Sequence, residues 1–147
     1  MTRHFLFSAA ILFISISAFC QDAGSALQGC EPYFDTLTSR QLYRAPEKDA
    51  EYKGGTEKFA NYINQNFIYD KSHVDRETSL IFTFIVEPDG SVSNVSLLRP
   101  ARGVADDVIE RGMLVMEKMP KLKPAICHNQ KVPQRLSQPI TVSPAGN

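Results

Sequence analysis

The stretch whose reading decides the fold is IFTFIVEPDGSVSNVSLL, Ile81–Leu98. Alternating apolar residues flank Pro88-Asp89-Gly90, which is the signature of a hairpin whose glycine supplies the positive φ of the turn. Leu80, Phe82, Phe84 and Val86 fall on one face of the first strand, and Ile81, Thr83 and Ile85 on the other. The first face is heavier and is expected to meet the core. In the mate strand the apolar residues are Val92, Val95 and Leu97. Their spacing slips by one between Val92 and Val95, which predicts a bulge there. A two-stranded hairpin alone is marginal in water, so other elements must cover its heavy face.

Those elements lie on both sides of it. Phe59, Ile63 and Phe67 recur at four-residue spacing and predict a helix over Thr56–Asn66, with Thr56 as its cap. A second helix is predicted over Val104–Lys118, with Ala105, Val108, Ile109, Gly112, Met116 and Met119 on one side. Gly112 costs that helix about 1 kcal/mol against Ala unless it permits a close approach to the sheet. Met119-Pro120 ends it, because the residue before a proline is pushed out of the helical region. After a connection over Lys121–Asn129, Val132, Leu136, Ile140 and Val142 share one parity across Lys131–Val142, as a third strand should. This strand is expected to pair with the first strand of the hairpin. The order helix, strand, strand, helix, strand predicts an α+β domain over residues 52–143. It is a two-layer sandwich of a three-stranded antiparallel sheet covered by two helices. No period persists over residues 21–51, which read as an irregular N-terminal segment.

The front of the chain reads as an export signal over residues 1–20. Arg3 and His4 precede an apolar run, Phe5 to Ile16, too short for a membrane span, and Ala18-Phe19-Cys20 follows as a cleavage point. The expected location is the periplasm or cell envelope. Cleavage after Cys20, lipidation of Cys20 and retention of the signal as an anchor remain alternatives, and only the last two attach the chain to a membrane. Sixteen basic residues balance sixteen acidic ones, so charge offers nothing to attract nucleic acid. Cys30 and Cys127 are disulfide candidates in an oxidising compartment. If joined, they close a loop whose constraint is worth about 4–5 kcal/mol in the chain-entropy model.

Little in the sequence resembles a reactive centre. Cys127-His128 has no third group to orient a nucleophile and its base, so no catalytic residue is assigned and the chain reads as a non-enzyme. His73 and His128 have no companions at ligand spacing and read as surface histidines, with no metal or other cofactor implied. Asp106-Asp107 suits the first turn of a helix, where negative charge meets the positive end of the dipole.

Over Ala50–Val142 the chain resembles the C-terminal domain of TonB-type energy transducers, in the variety common in the Bacteroidetes. The matching pieces are Tyr52-x-Gly54-Gly55, then Phe59-x-x-Tyr62-Ile63-x-x-Asn66-Phe67-x-Tyr69. They continue with Phe82-x-Phe84-x-Val86, Asp89-Gly90-Ser91-Val92, Met119-Pro120-Lys121 with Pro124, and Pro139-Ile140-Thr141-Val142. The chain departs from the family at Leu122, where Trp is common, at Gln130, where Gly is common, and at Val142, where Phe is usual. It also lacks the long Pro-rich linker of the energy-coupling members.

The resemblance implies a protein-interaction module whose last strand lies at a sheet edge. That edge would accept an extended peptide of an outer-membrane transporter or another envelope protein, as in TonB-type transmembrane transport. Pro133 and Pro139 fit an edge, since proline has no N–H to give a ladder. Between them, Gln134, Arg135, Leu136, Ser137 and Gln138 are the expected partner-binding window, with Arg135 free for an acidic neighbour. Prolines and charges at an edge are equally devices that prevent pairing. The alternative is a structural envelope domain, or one that pairs with a second copy of itself as a homodimer.

Overall fold

The structure is a computed structural model that describes residues 29–146. The expected signal peptide and Cys20 lie outside the described residues. The central sheet has three antiparallel strands: β3 (Thr78–Val86) in the middle, β4 (Val92–Leu97) on one side and β7 (Gln134–Val142) on the other. β3 and β7 pair in unbroken register from Thr78↔Val142 to Val86↔Gln134. The β3–β4 register shifts between Thr83 and Ile85, where Ser93–Ser96 spans three steps against two. This is the expected bulge, and Asn94 takes up the left-handed backbone within it (φ 52°). Asp89 caps the turn by accepting from the Ser91 amide at 2.9 Å, and Gly90 sits at φ 86°.

The heavy face of β3 is buried as its pattern requires. Leu80, Phe82, Phe84 and Val86 join Ile140 and Val142 of β7 in the main core. Two helices cover this face, α1 (Gly55–Asn66) and α2 (Asp106–Glu117). α1 contributes Ile63, with Phe67 just beyond its end, and α2 contributes Val108, Val115 and Met116. The Tyr62 hydroxyl donates to the Val115 carbonyl at 2.9 Å and ties one helix to the other. A Cβ on Gly112 would lie 2.3 Å from Cζ of Phe82, so the glycine permits the helix to seat on the sheet. Thr56 is not the cap of α1. That position belongs to Gly54, in the left-handed region at φ 97°, and Thr56 lies inside the first turn.

Two further departures concern the last strand and the segment ahead of α1. The expected strand over Lys131–Val142 is divided at Pro133. Residues Gln130–Val132 form β6, which pairs with β5 (Ala125–Cys127), and β7 begins at Gln134. More importantly, residues 31–44 are not irregular. They form a hairpin of β1 (Glu31–Asp35) and β2 (Arg40–Arg44), paired from Glu31↔Arg44 to Asp35↔Arg40. Ile85 pairs with Arg135, so their side chains share the face opposite the helices. Arg135 there reaches Asp35 of β1 at 2.8 Å. The hairpin therefore covers one end of the sheet's second face, where Ile85 and Leu42 are fully buried. The fold is two layers with part of a third.

The hairpin is fastened by polar and covalent ties. Arg40 grips Glu87 through two hydrogen bonds, Nη1 to Oε1 at 3.0 Å and Nη2 to Oε2 at 2.5 Å. The Tyr43 amide donates to the Pro133 carbonyl at 3.0 Å. Cys30, immediately before β1, is joined to Cys127 of β5 as a disulfide, with Cα atoms 5.5 Å apart. Burial pushes the Glu87 carboxyl up, but hydrogen bonds from Arg40 and Ser93 outweigh it and leave the group below its ordinary value. Asp35 is also held below the usual carboxylate range, chiefly by the Thr38 hydroxyl and then by Arg135.

Candidate functional site

Backbone direction on β7 follows from its central neighbour. The Leu98 amide donates to the Ile81 carbonyl, and the Glu87 amide to the Ser91 carbonyl. Odd-numbered residues of β3 therefore turn their backbone groups towards β4, and even-numbered residues towards β7. Opposite Leu80, Phe82, Phe84 and Val86 stand Ile140, Gln138, Leu136 and Gln134, whose amides and carbonyls are consumed inside the sheet. The residues that point backbone groups outwards from β7 are Arg135, Ser137, Pro139 and Thr141. Pro139, with no amide to offer, occupies an outward position and costs the sheet nothing.

This geometry redraws the expected binding window. Gln134 is buried and already engaged: its side-chain oxygen accepts from the Ala50 amide at 2.8 Å, and its nitrogen donates to Asp49 at 2.6 Å. Arg135 is not free for an external acidic neighbour, because Asp35 of the same chain holds it. The start of the edge is also occupied by β2, through the hydrogen bond from Tyr43 to Pro133. The backbones of Leu136 and Gln138 face β3. Of the expected window, Ser137 alone is exposed and carries an outward amide and carbonyl. The accessible edge runs on past the window, through exposed Pro139 and Thr141. It offers the amides of Ser137 and Thr141 and the carbonyls of Ser137 and Thr141. The Pro139 carbonyl already accepts from the Gln138 side-chain amide at 3.0 Å and keeps one lone pair for a guest.

Leu136 and Gln138 contribute in another way, through their side chains. On the helix face they line an open groove of about 210 Å³ with Tyr52, Phe59, Phe84 and Leu122. Tyr52 and Phe59 meet edge to face, with ring centroids 5.5 Å apart. The segment before α1 forms its outer wall and is pinned by an isolated bridge to Lys123, just ahead of β5. The Glu51 amide donates to the Lys123 carbonyl at 3.0 Å, and the Lys123 amide returns a bond to Glu51 at 2.9 Å. An exposed backbone edge beside an apolar groove is the arrangement in which an added strand is held by its main chain and selected by a side chain.

The remaining candidates separate. His73 is half-exposed and pairs with Asp107 at 2.9 Å, and Asp107 raises its pKa by hydrogen bonding and charge. It is a clasp between the turn at Lys71–His73 and the start of α2. His128 does have companions at ligand distance, contrary to the expectation from spacing. A ring nitrogen of His128, a carboxylate oxygen of Glu47 and the Cys30 sulfur all lie within 4.8 Å of one another. They come from three separate segments, so no local motif announces them. Among the described residues, no helix is long and apolar enough to cross a membrane. No family model, no curated protein and no solved structure matches the chain.

Proposed function

We propose that this chain is a non-enzymatic interaction module of the cell envelope that takes up an extended peptide along the outer edge of β7, between Ser137 and Thr141. The observation that carries this reading is the outward backbone of Ser137, Pro139 and Thr141 beside the groove of Tyr52, Phe59 and Leu136. Main-chain hydrogen bonds to Ser137 and Thr141 supply affinity, and the groove takes an apolar side chain of the incoming strand. The resemblance of residues 50–142 to TonB C-terminal domains points to the same strand and to the same kind of partner, a segment of an outer-membrane transporter or other envelope protein. An outward edge can also pair with a second copy of the chain, which is the competing use of the same groups.

The test follows from the direction of the backbone. Leu136→Pro would remove an amide used by β3 and damage the fold. Ser137→Pro removes only an outward amide. Titration of a panel of fluorescent extended peptides from transporter N-terminal segments should give saturable binding to the wild type and none to the Ser137→Pro variant. The variant should keep the same unfolding midpoint. Absence of binding to every peptide, or equal binding by both proteins, would sink the proposal. A dimer that strengthens with concentration in light scattering and vanishes in Ser137→Pro would favour self-pairing instead.

A further inference from the structure

We infer that the joint between the N-terminal hairpin and β5 is also a zinc site, formed when the Cys30–Cys127 disulfide is reduced, with Cys30, Cys127, Glu47 and His128 as its four ligands. Cys30, Glu47 and His128 already present three donor atoms within 4.8 Å of one another. The Cys127 sulfur lies outside that mutual distance but is bonded to that of Cys30, so reduction leaves it beside the three as the fourth donor. Two thiolates, an imidazole and a carboxylate are a donor set suited to Zn²⁺. With metal–ligand distances of about 2.0–2.3 Å, a tetrahedral site sets its donors about 3.5 Å apart. Glu47 and His128 are exposed and can close that difference by side-chain rotation, while the two cysteines separate.

The backbone holds these donors together independently of the sulfur–sulfur bond. The Cys30 amide donates to the Ala45 carbonyl at 2.7 Å, two residues before Glu47. Lys48, next to Glu47, exchanges two hydrogen bonds with Ile126, next to Cys127, at 2.9 and 3.3 Å. The Glu47 carboxylate accepts from the His128 amide at 3.2 Å. Cys30, Ala45, His128 and Asn129 all take positive φ, at 70°, 43°, 49° and 60°. His128 and Asn129 thereby form the two-residue turn between β5 and β6, which places His128 beside the cysteine that precedes it. Left-handed backbone at non-glycine residues carries a conformational cost, and here four such residues frame one cluster of donors.

The exchange of one staple for the other is balanced. A dithiol reductant gives two electrons and two protons to the disulfide, becomes a disulfide itself and leaves Cys30 and Cys127 as thiols. Zn²⁺ then binds their sulfurs as thiolates and the two thiol protons pass to solvent. The loop closed by the disulfide is then closed by the metal, so the hairpin keeps its seat in a reducing compartment as well as in an oxidising one.

The test reduces the purified protein with a water-soluble phosphine under argon, removes the phosphine, and titrates it with Co²⁺ and then with Zn²⁺. One equivalent of Co²⁺ should produce the visible absorption of a tetrahedral site and a sulfur-to-cobalt charge-transfer band, both abolished by one equivalent of Zn²⁺. The oxidised protein should show neither. His128→Ala and Glu47→Gln keep the disulfide, and each should weaken zinc binding to the reduced form at least about ten-fold, the lower end of what loss of even an outer partner costs. Equal cobalt spectra for oxidised and reduced protein would overturn the inference. Undiminished zinc affinity in both variants would overturn it too, and so would a reduced chain that loses its circular dichroism and does not recover it with zinc.

Discussion

The hairpin of β3 and β4 is held by what it buries, whereas the hairpin of β1 and β2 is held by what it is tied to. β3 gives Leu80, Phe82, Phe84 and Val86 to the main core, all almost fully buried. β1 and β2 together bury one large apolar side chain, Leu42, and otherwise depend on the Cys30 disulfide and the Arg40 and Asp35 ion pairs. Apolar burial is dispersed over many contacts and carries no group that titrates or is reduced. Ion pairs and a disulfide are few and respond to pH and to redox state. The two hairpins are therefore expected to fail under different conditions.

The severest way to test that contrast is to hollow the first hairpin. Phe82→Ala should cost about 3–5 kcal/mol in urea denaturation, because the ring seats α2 and leaves a cavity under Gly112. A loss below about 1 kcal/mol would mean that the sheet does not depend on this packing. Cutting the main tie of the second hairpin should cost somewhat less. Cys127→Ser is expected to lower stability by about 2–5 kcal/mol, with amide exchange in residues 31–44 accelerating more than in residues 78–86. Uniform acceleration would show that the two hairpins open as one unit.

Acid should give the smallest effect and the most selective one. Asp35 and Glu87 both have folded-state pKa values below the ordinary carboxylate value of about 4. The stability they add is fully present above that value and is lost as pH falls through the lowered folded values. Amide exchange followed by NMR, corrected for its intrinsic pH dependence, should show β1 and β2 loosening below about pH 4 while β3 holds. Simultaneous loss of protection in both would contradict the division.

The same contrast explains which parts of the molecule were legible in the sequence. α1, α2, β3 and the parity of β7 each carry a period, and a period is the imprint of a face turned to the core. Gly112 was readable because its cost in a helix demanded a reason, and Phe82 is that reason. The β1–β2 hairpin has no such imprint, since its anchors are Glu87, Arg135 and Cys127, distant in the chain. The β5–β6 hairpin was missed because its turn uses His128-Asn129 rather than a glycine pair. Alternation along the last strand revealed which side chains face the core. It could not reveal which amides face outwards, because that depends on β3 lying to one side and on β2 occupying the start of the edge.

Pro139 has a consequence for how many strands the edge can recruit. A fibril grows because every added strand offers the next one an uninterrupted ladder. Here the outward ladder has a gap between Ser137 and Thr141, so a copy docking along β7 leaves one of its own carbonyls without a donor. A short, single strand that turns this carbonyl to water loses little, while indefinite stacking loses a bond at every layer. The proline leaves the edge able to accept one guest and unfit to seed a polymer.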